Sequence, residues 1–298
     1  MHPSRPMRVL EEPLRLDNET CPYCGVLLDP ATATRDHVVG RRFVPKGKLD
    51  RCWNVILGAC QPCNNRKSDL ENDISAITMQ PDPTGRFARP DPVLTAEARR
   101  KGLNSLSRRT RKPVGQSSEE ITIKGSLGSG STFSFTATAP PQLDESRVWE
   151  LARFHVAGLF YTITYNESTR RGGFWPGGFF PLMMSLRGDW GNPVQLAFMR
   201  MVDPWLPRII GSTADHYFLV AVRRHPEEEL WSWAVEWNDN LRAIGFFGNE
   251  QVARRLASEL PELEMHILGY HDKGVYRGRS EIALSAEDDI MFRDAPAE

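Results

Sequence analysis

What the chain has little of narrows the reading first. No apolar run approaches the roughly 20 residues that a bilayer-spanning helix needs, so no membrane segment is expected. The opening stretch MHPSRPMRVLEEPLRLDNET lacks an apolar core and carries early acids, unlike a secretory or transit signal. Cysteine is scarce, five in 298 residues. Four of the five stand at metal-ligand spacing, which suits a cytoplasmic metalloprotein better than a disulfide scaffold. Histidine is also sparse: His37 is the only one between residues 3 and 154. Glycine-rich phosphate loops, nucleophile elbows, internal repeats and charged low-complexity tracts are absent.

What is present divides unevenly. Hydrophobic residues make up 40% and charged residues 25%, ordinary for a globular chain whose length favours two domains. The net charge of -1 hides an asymmetry: residues 1–140 hold 21 Lys+Arg against 15 Asp+Glu, leaving 16 against 23 behind them. A basic front half suits a polyanion such as nucleic acid, although an excess of that size is also common without one.

Two pairs, Cys21/Cys24 and Cys60/Cys63, supply the four thiolates of a closed tetrahedral zinc site. Gly25 permits the tight turn after the first pair. About 60 residues bury little core alone, so the metal is expected to stabilise the fold outright. Cys52 reads as a core cysteine rather than a fifth ligand. The gap between Cys24 and Cys60 is long for a zinc ribbon and contains Asp36-His37. If this segment performs acid–base work near neutral pH, His37 is the candidate. Neighbours on a strand point to opposite faces, so a turn, or a metal on one side and a water on the other, is needed for the pair to act together.

The runs RDHVVGRRFVPKG and WNVILGACQPCNNRKSD, within residues 20–75, resemble the HNH endonucleases of the four-cysteine type, the ββα-metal or His-Me finger nucleases. The resemblance implies a β-hairpin and a helix clamped by Zn²⁺, hydrolysing DNA to 5′-phosphate and 3′-hydroxyl ends, with RNA left open. On that template His37 is the general base and Asn54 holds its loop. Asp36 and Asn64 bind a separate catalytic Mg²⁺ or Mn²⁺, with Asn65 the alternative to Asn64. Soft thiolates would select zinc and hard oxygens magnesium. Asn54 stands one residue further from Cys60 than is usual, an offset that a bulge or longer turn at Gly58 would absorb. The bland alternatives are that Asn54 shapes a turn and Asn64 caps a helix.

Arg35, Arg41, Arg42, Lys46 and Lys48 surround the Asp-His pair, and Arg66 and Lys67 follow Asn64. Arg41, Arg42, Arg66 and Lys67 are the candidates for phosphate contact; a solvated basic loop is the alternative. Arg99, Arg100, Lys101, Arg108, Arg109, Arg111 and Lys112 crowd an acid-free stretch that suits either a nucleic-acid backbone or a solvated linker.

The expected fold class is α+β: a nuclease module at 1–80 with a loose N-terminal arm, a basic connector at 81–114, and a larger α+β domain at 115–298. In the last, a long helix is expected over 144–165 and a hairpin across Pro226–Glu229. A further helix is expected over 249–260, with a closing strand in LEMHILGY. FFPLMMSL and VQLAFMRMV read as strands or buried helices. Trp231, Trp233 and Trp237 read as core aromatics. The back domain carries no recognised motif, and its expected roles are target recognition, dimerisation or regulation. Bacterial or phage settings such as restriction, mobile elements or phage defence fit the family. The rival reading is a zinc-dependent nucleic-acid-binding or interaction protein with a degenerate nuclease module.

Overall fold

The computed structural model describes residues 12–81, 91–126, 132–271 and 274–293, and its fold is mixed α+β. Strands β1 (Leu14–Arg15), β2 (Thr34–His37) and β3 (Val55–Ala59) form a sheet of order β1-β3-β2. β2 is antiparallel and β1 parallel to the central β3. The end of the expected loose arm is therefore fixed: Leu14 N donates to the Asn54 carbonyl at 2.8 Å and Leu16 N to that of Ile56 at 2.9 Å. A two-residue parallel pairing leaves no periodic trace in a sequence. Helix α1 (Gln61–Thr78) follows β3 at once, started by extended Cys60 and by Pro62 in the first turn, where a missing N–H costs nothing. The order strand, strand, helix matches the expectation for this segment.

Part of the expected connector, residues 82–90, lies outside the described residues, as do residues 1–11. Helix α2 (Pro92–Asn104) is capped by Asp91, whose carboxylate accepts from Val93 N at 2.7 Å. Strands β4 (Glu119–Ser126) and β5 (Thr132–Ala139) pair as a hairpin. Helix α3 (Glu145–Ile163) begins at Asp144, which caps Ser146 N at 3.0 Å. FFPLMMSL lies in strand β6 (Gly178–Leu186). VQLAFMRMV is helix α4 (Pro193–Val202), because Asn192 caps Gln195 N at 3.0 Å and Pro193 opens the turn. Strands β7 (Leu206–Thr213), β8 (Phe218–Arg224), β9 (Leu230–Trp237) and β10 (Leu241–Gly248) complete an antiparallel sheet of order β6-β10-β9-β8-β7. Helix α5 (Glu250–Ser258) starts at the cap Asn249. Strands β11 (His266–His271) and β12 (Gly274–Gly278) join the β4–β5 hairpin instead of the five-stranded sheet.

Helix α3 is the keystone. Its Val148, Leu151, Val156 and Leu159 are fully buried, each worth roughly 1.5–3 kcal/mol relative to exposure. They belong to one core cluster that holds Val38, Phe43, Val55 and Leu57 of the front module together with Val220, Val222, Trp233 and Trp237 of the five-stranded sheet. Both tryptophans are fully buried, and Trp231 packs partly buried against them. A second cluster, with Phe198, Met199, Ile244, Phe246, Val252 and Leu256, covers the sheet's other face with α4 and α5. Front module and later sheet thus meet through α3. Among the described residues no helix is long and apolar enough to cross a membrane.

Candidate active site and metal centre

The two knuckles converge. Cys21 to Cys24 turns back on itself, with Gly25 at φ 77° donating its N–H to the Cys21 carbonyl at 2.9 Å. Cys60 precedes α1 and Cys63 lies in its first turn. The four Sγ atoms all lie within 4.8 Å of one another, and those of Cys24 and Cys60 are 3.6 Å apart. Tetrahedral zinc with Zn–S near 2.3 Å needs sulfurs about 3.8 Å apart, so the cluster fits a metal such as zinc. Burial pushes the Cys21 thiol up to about 11, and burial and neighbouring thiols push Cys63 well above the ordinary thiol value. Such a crowd ionises readily only around a cation. Cys52 stands apart, half-exposed, donating to the Lys48 carbonyl at 3.3 Å.

One stripe of α1 reads down β2 and the loop after it. The Asn64 amide donates to the Thr34 hydroxyl at 2.9 Å. One turn on, the Lys67 ammonium donates to Asp36 Oδ1 at 3.1 Å and to the His37 carbonyl at 2.6 Å. Another turn on, Glu71 Oε1 accepts from Lys67 at 2.9 Å and from Gly40 N at 3.1 Å. Spacing 64, 67, 71 keeps all three side chains on one face. The second oxygen of Asp36 takes the Tyr23 hydroxyl.

Lys67 is 1% exposed. Its expected phosphate contact is therefore corrected: the side chain is inside, balancing the buried carboxylate of Asp36 and the partly buried one of Glu71. Burial alone would push its pKa down, but Asp36 and Glu71 outweigh this and hold it above the ordinary lysine value. Burial likewise opposes ionisation of Glu71, and Lys67 overcomes it, leaving Glu71 below its ordinary value. Burial and Asp36 keep Tyr23 a neutral phenol. His155 of α3, fully buried among Phe43, Phe218 and Trp237, places Nε2 3.6 Å from Glu71, and burial keeps the ring neutral. Tyr23, Glu71 and His155 were not singled out from the sequence. The i,i+4 spacing of Lys67 and Glu71 is the sequence signal that could have found this pair.

Asn54 is buried and clamps the loop after His37: its Oδ1 accepts from Val39 N at 3.1 Å and Val55 N at 2.9 Å, and its Nδ2 donates to the Val39 carbonyl at 2.8 Å. No bulge occurs at Gly58, which pairs in regular register with Arg35. Its backbone is held instead by Asn18, and a Cβ there would stand 2.8 Å from Leu28.

The His37 backbone is thus pinned from two sides while its ring stays half-exposed. Arg41 Nε donates to His37 Nε2 at 3.2 Å. Burial first, and then the Arg41 charge, lower the imidazole pKa below its ordinary value. Asp36 and His37 fall on opposite sides of the strand, one turned inward to Lys67 and the other out to Arg41.

Of the other expected phosphate contacts, Arg41 and Arg42 are exposed, and Arg41 is the one that touches this ring. Arg66 is engaged by Glu150 of α3 at 2.7 Å. The basic stretch is largely spent internally: Lys101 is buried on Ser75 and the Arg42 carbonyl, and burial pushes it down to about 8. Arg100 pairs with Glu97, Arg108 with Asp69 and Arg109 with Glu119. Arg99, Arg111 and Lys112 remain exposed. No family model, curated protein or solved structure matches the chain.

Proposed function

We propose that the chain is a zinc-stapled endonuclease of the HNH, ββα-metal kind that hydrolyses DNA phosphodiesters, with His37 as general base. The observation that carries this reading is the mounting of His37: a neutral, half-exposed imidazole on a backbone pinned by Lys67 and Asn54, beside a cationic Arg41. The Cys21, Cys24, Cys60 and Cys63 cage supports it by fixing the helix against the hairpin. Arg41 Nε turns from His37 Nε2 to the phosphate alongside Arg42, His37 Nε2 takes a proton from water as the oxygen attacks phosphorus, and the P–O3′ bond breaks with the 3′ oxygen taking a proton from solvent.

A catalytic Mg²⁺ or Mn²⁺ on Asp36 and Asn64 does not fit the side chains as they stand. Both Asp36 oxygens are taken by Lys67 and Tyr23, and the Asn64 amide is turned to Thr34. The same burial of Asp36 favours the rival reading, a binding module with a degenerate nuclease.

Supercoiled plasmid separates the two. The wild type is expected to nick it, with EDTA reporting dependence on divalent ions. His37→Ala is expected to lose roughly 10²–10⁴-fold in rate while retarding DNA as before. Equal nicking by the mutant removes the general base, and DNA retardation without nicking by the wild type favours the binding module. The pH profile adds a sign. The base works deprotonated, so activity falls as pH drops through the lowered His37 pKa, and the midpoint lies below the ordinary histidine value near 6.5. Arg41→Ala is expected to move that midpoint upward. A midpoint that stays put would detach Arg41 from the base.

A further inference from the structure

Beside the zinc knuckle lies a pocket of about 330 Å³ that the hydrolytic scheme leaves unused. Three segments build it. The first knuckle contributes Tyr23, and one stripe of α3 contributes Arg153, Phe154 and Phe160. The glycine-rich run GGFWPGG contributes Phe174 and Trp175. Glycine is required in that run: Gly177 has φ 85°, and a Cβ there would collide with the Gly248 carbonyl. The run is thereby tied to the end of the five-stranded sheet. Phe174 then lies over Gly25 of the knuckle, where a Cβ would meet its ring at 3.5 Å, yet the side chain is 49% exposed.

The pocket's charge has one sign to offer. Glu150 on its rim is already held by Arg66 at 2.7 Å. Arg153 is exposed, and no carboxylate among the described residues pairs with it. Aromatic faces with a single available guanidinium suit a planar π-system joined to an anion. That is the chemistry by which proteins hold an unstacked nucleotide, base on the rings and phosphate on arginine. The location agrees. The Tyr23 ring lines the pocket while its hydroxyl holds Asp36, the residue before His37.

We propose that this pocket takes one unpaired nucleobase of the bound strand, with the adjoining phosphate on Arg153. The inference rests on the nuclease reading for its strand but not for its test. Fluorescence anisotropy with a labelled oligothymidylate measures binding; a blunt-ended duplex of two fully complementary strands is the comparison. Phe174→Ala is expected to weaken oligothymidylate binding by roughly 5- to 150-fold, the range for losing one base–aromatic stack. Phe174→Leu, which keeps the packing on Gly25, is expected to weaken it as well. Arg153→Ala is expected to weaken it and flatten its salt dependence. Binding of the duplex should change little in all three, and unchanged zinc content reports that they fold. If the variants bind oligothymidylate like the wild type, if the wild type does not bind it, or if the duplex is weakened equally, the pocket assignment is overturned even where plasmid is nicked. If plasmid is never nicked and the variants still lose the oligonucleotide, the pocket stands and the nuclease reading falls.

Discussion

Removing the metal is expected to unfold more than the knuckles. Structural zinc contributes apparent folding free energy of about 10–16 kcal/mol, comparable with the roughly 5–15 kcal/mol of a whole domain. Cys21 is fully buried in the same core cluster as α3 and the five-stranded sheet. Loss of the cage should therefore spread through α3 to Trp233 and Trp237. Metal analysis should find one zinc per chain. Strong chelation, or Cys21→Ser, should abolish the near-ultraviolet circular dichroism of the buried tryptophans as well as metal binding. Cys52→Ser should change neither, because Cys52 lies outside the cluster. A Cys21→Ser protein that melts like the wild type and keeps its metal would remove the cage from the account.

The second large effect concerns Lys67. Lys67→Met is expected to cost about 3–5 kcal/mol, because it strands the buried carboxylate of Asp36 and the partly buried one of Glu71 without their cation. Differential scanning calorimetry should show a melting temperature lower by roughly 10 °C. A lysine that merely touched phosphate would leave the melting temperature alone and weaken DNA binding instead, so the measurement distinguishes the two roles. The pH dependence follows from the signs. Lys67 is held above its ordinary value, so its contribution is complete below the unfolded lysine value near 10.4 and is lost as pH rises through the folded value. Glu71 is held below its ordinary value, so its contribution is present above about 4.3 and is lost as pH falls through the folded value. In Lys67→Met both losses should shrink. An unchanged alkaline limb in the mutant would contradict the burial of this ammonium.

Near neighbours in sequence made part of this site legible. Two knuckles at fixed spacing had to close on each other, and a glycine after the first was the residue able to turn there. The strand–strand–helix order, the helices expected to start near 144 and 249, and the hairpin across Pro226–Glu229 all rest on local chemistry, and the structure keeps them. Asn54 reaches the loop after His37 with two hydrogen bonds to Val39 across 15 residues. The phase of α1 against β2 was not legible. It turns on how α3 covers that helix, through contacts such as Arg147 to Asp73 at 2.8 Å that span 74 residues.

The sequence by itself determined a four-thiolate cage, a lone histidine on the strand beside it, and an α+β chain around them, because ligand softness, turn chemistry and periodicity act over a few residues. Only the tertiary structure decided that Lys67 faces inward, that Asp36 is shared between an ammonium and a phenol, and that α3 joins the module to the sheet. A lysine's letters are the same in water and in a core. Which it meets depends on the helix laid over it from a distant part of the chain, and the cost of burying its charge is repaid only by carboxylates that the same packing brings within reach.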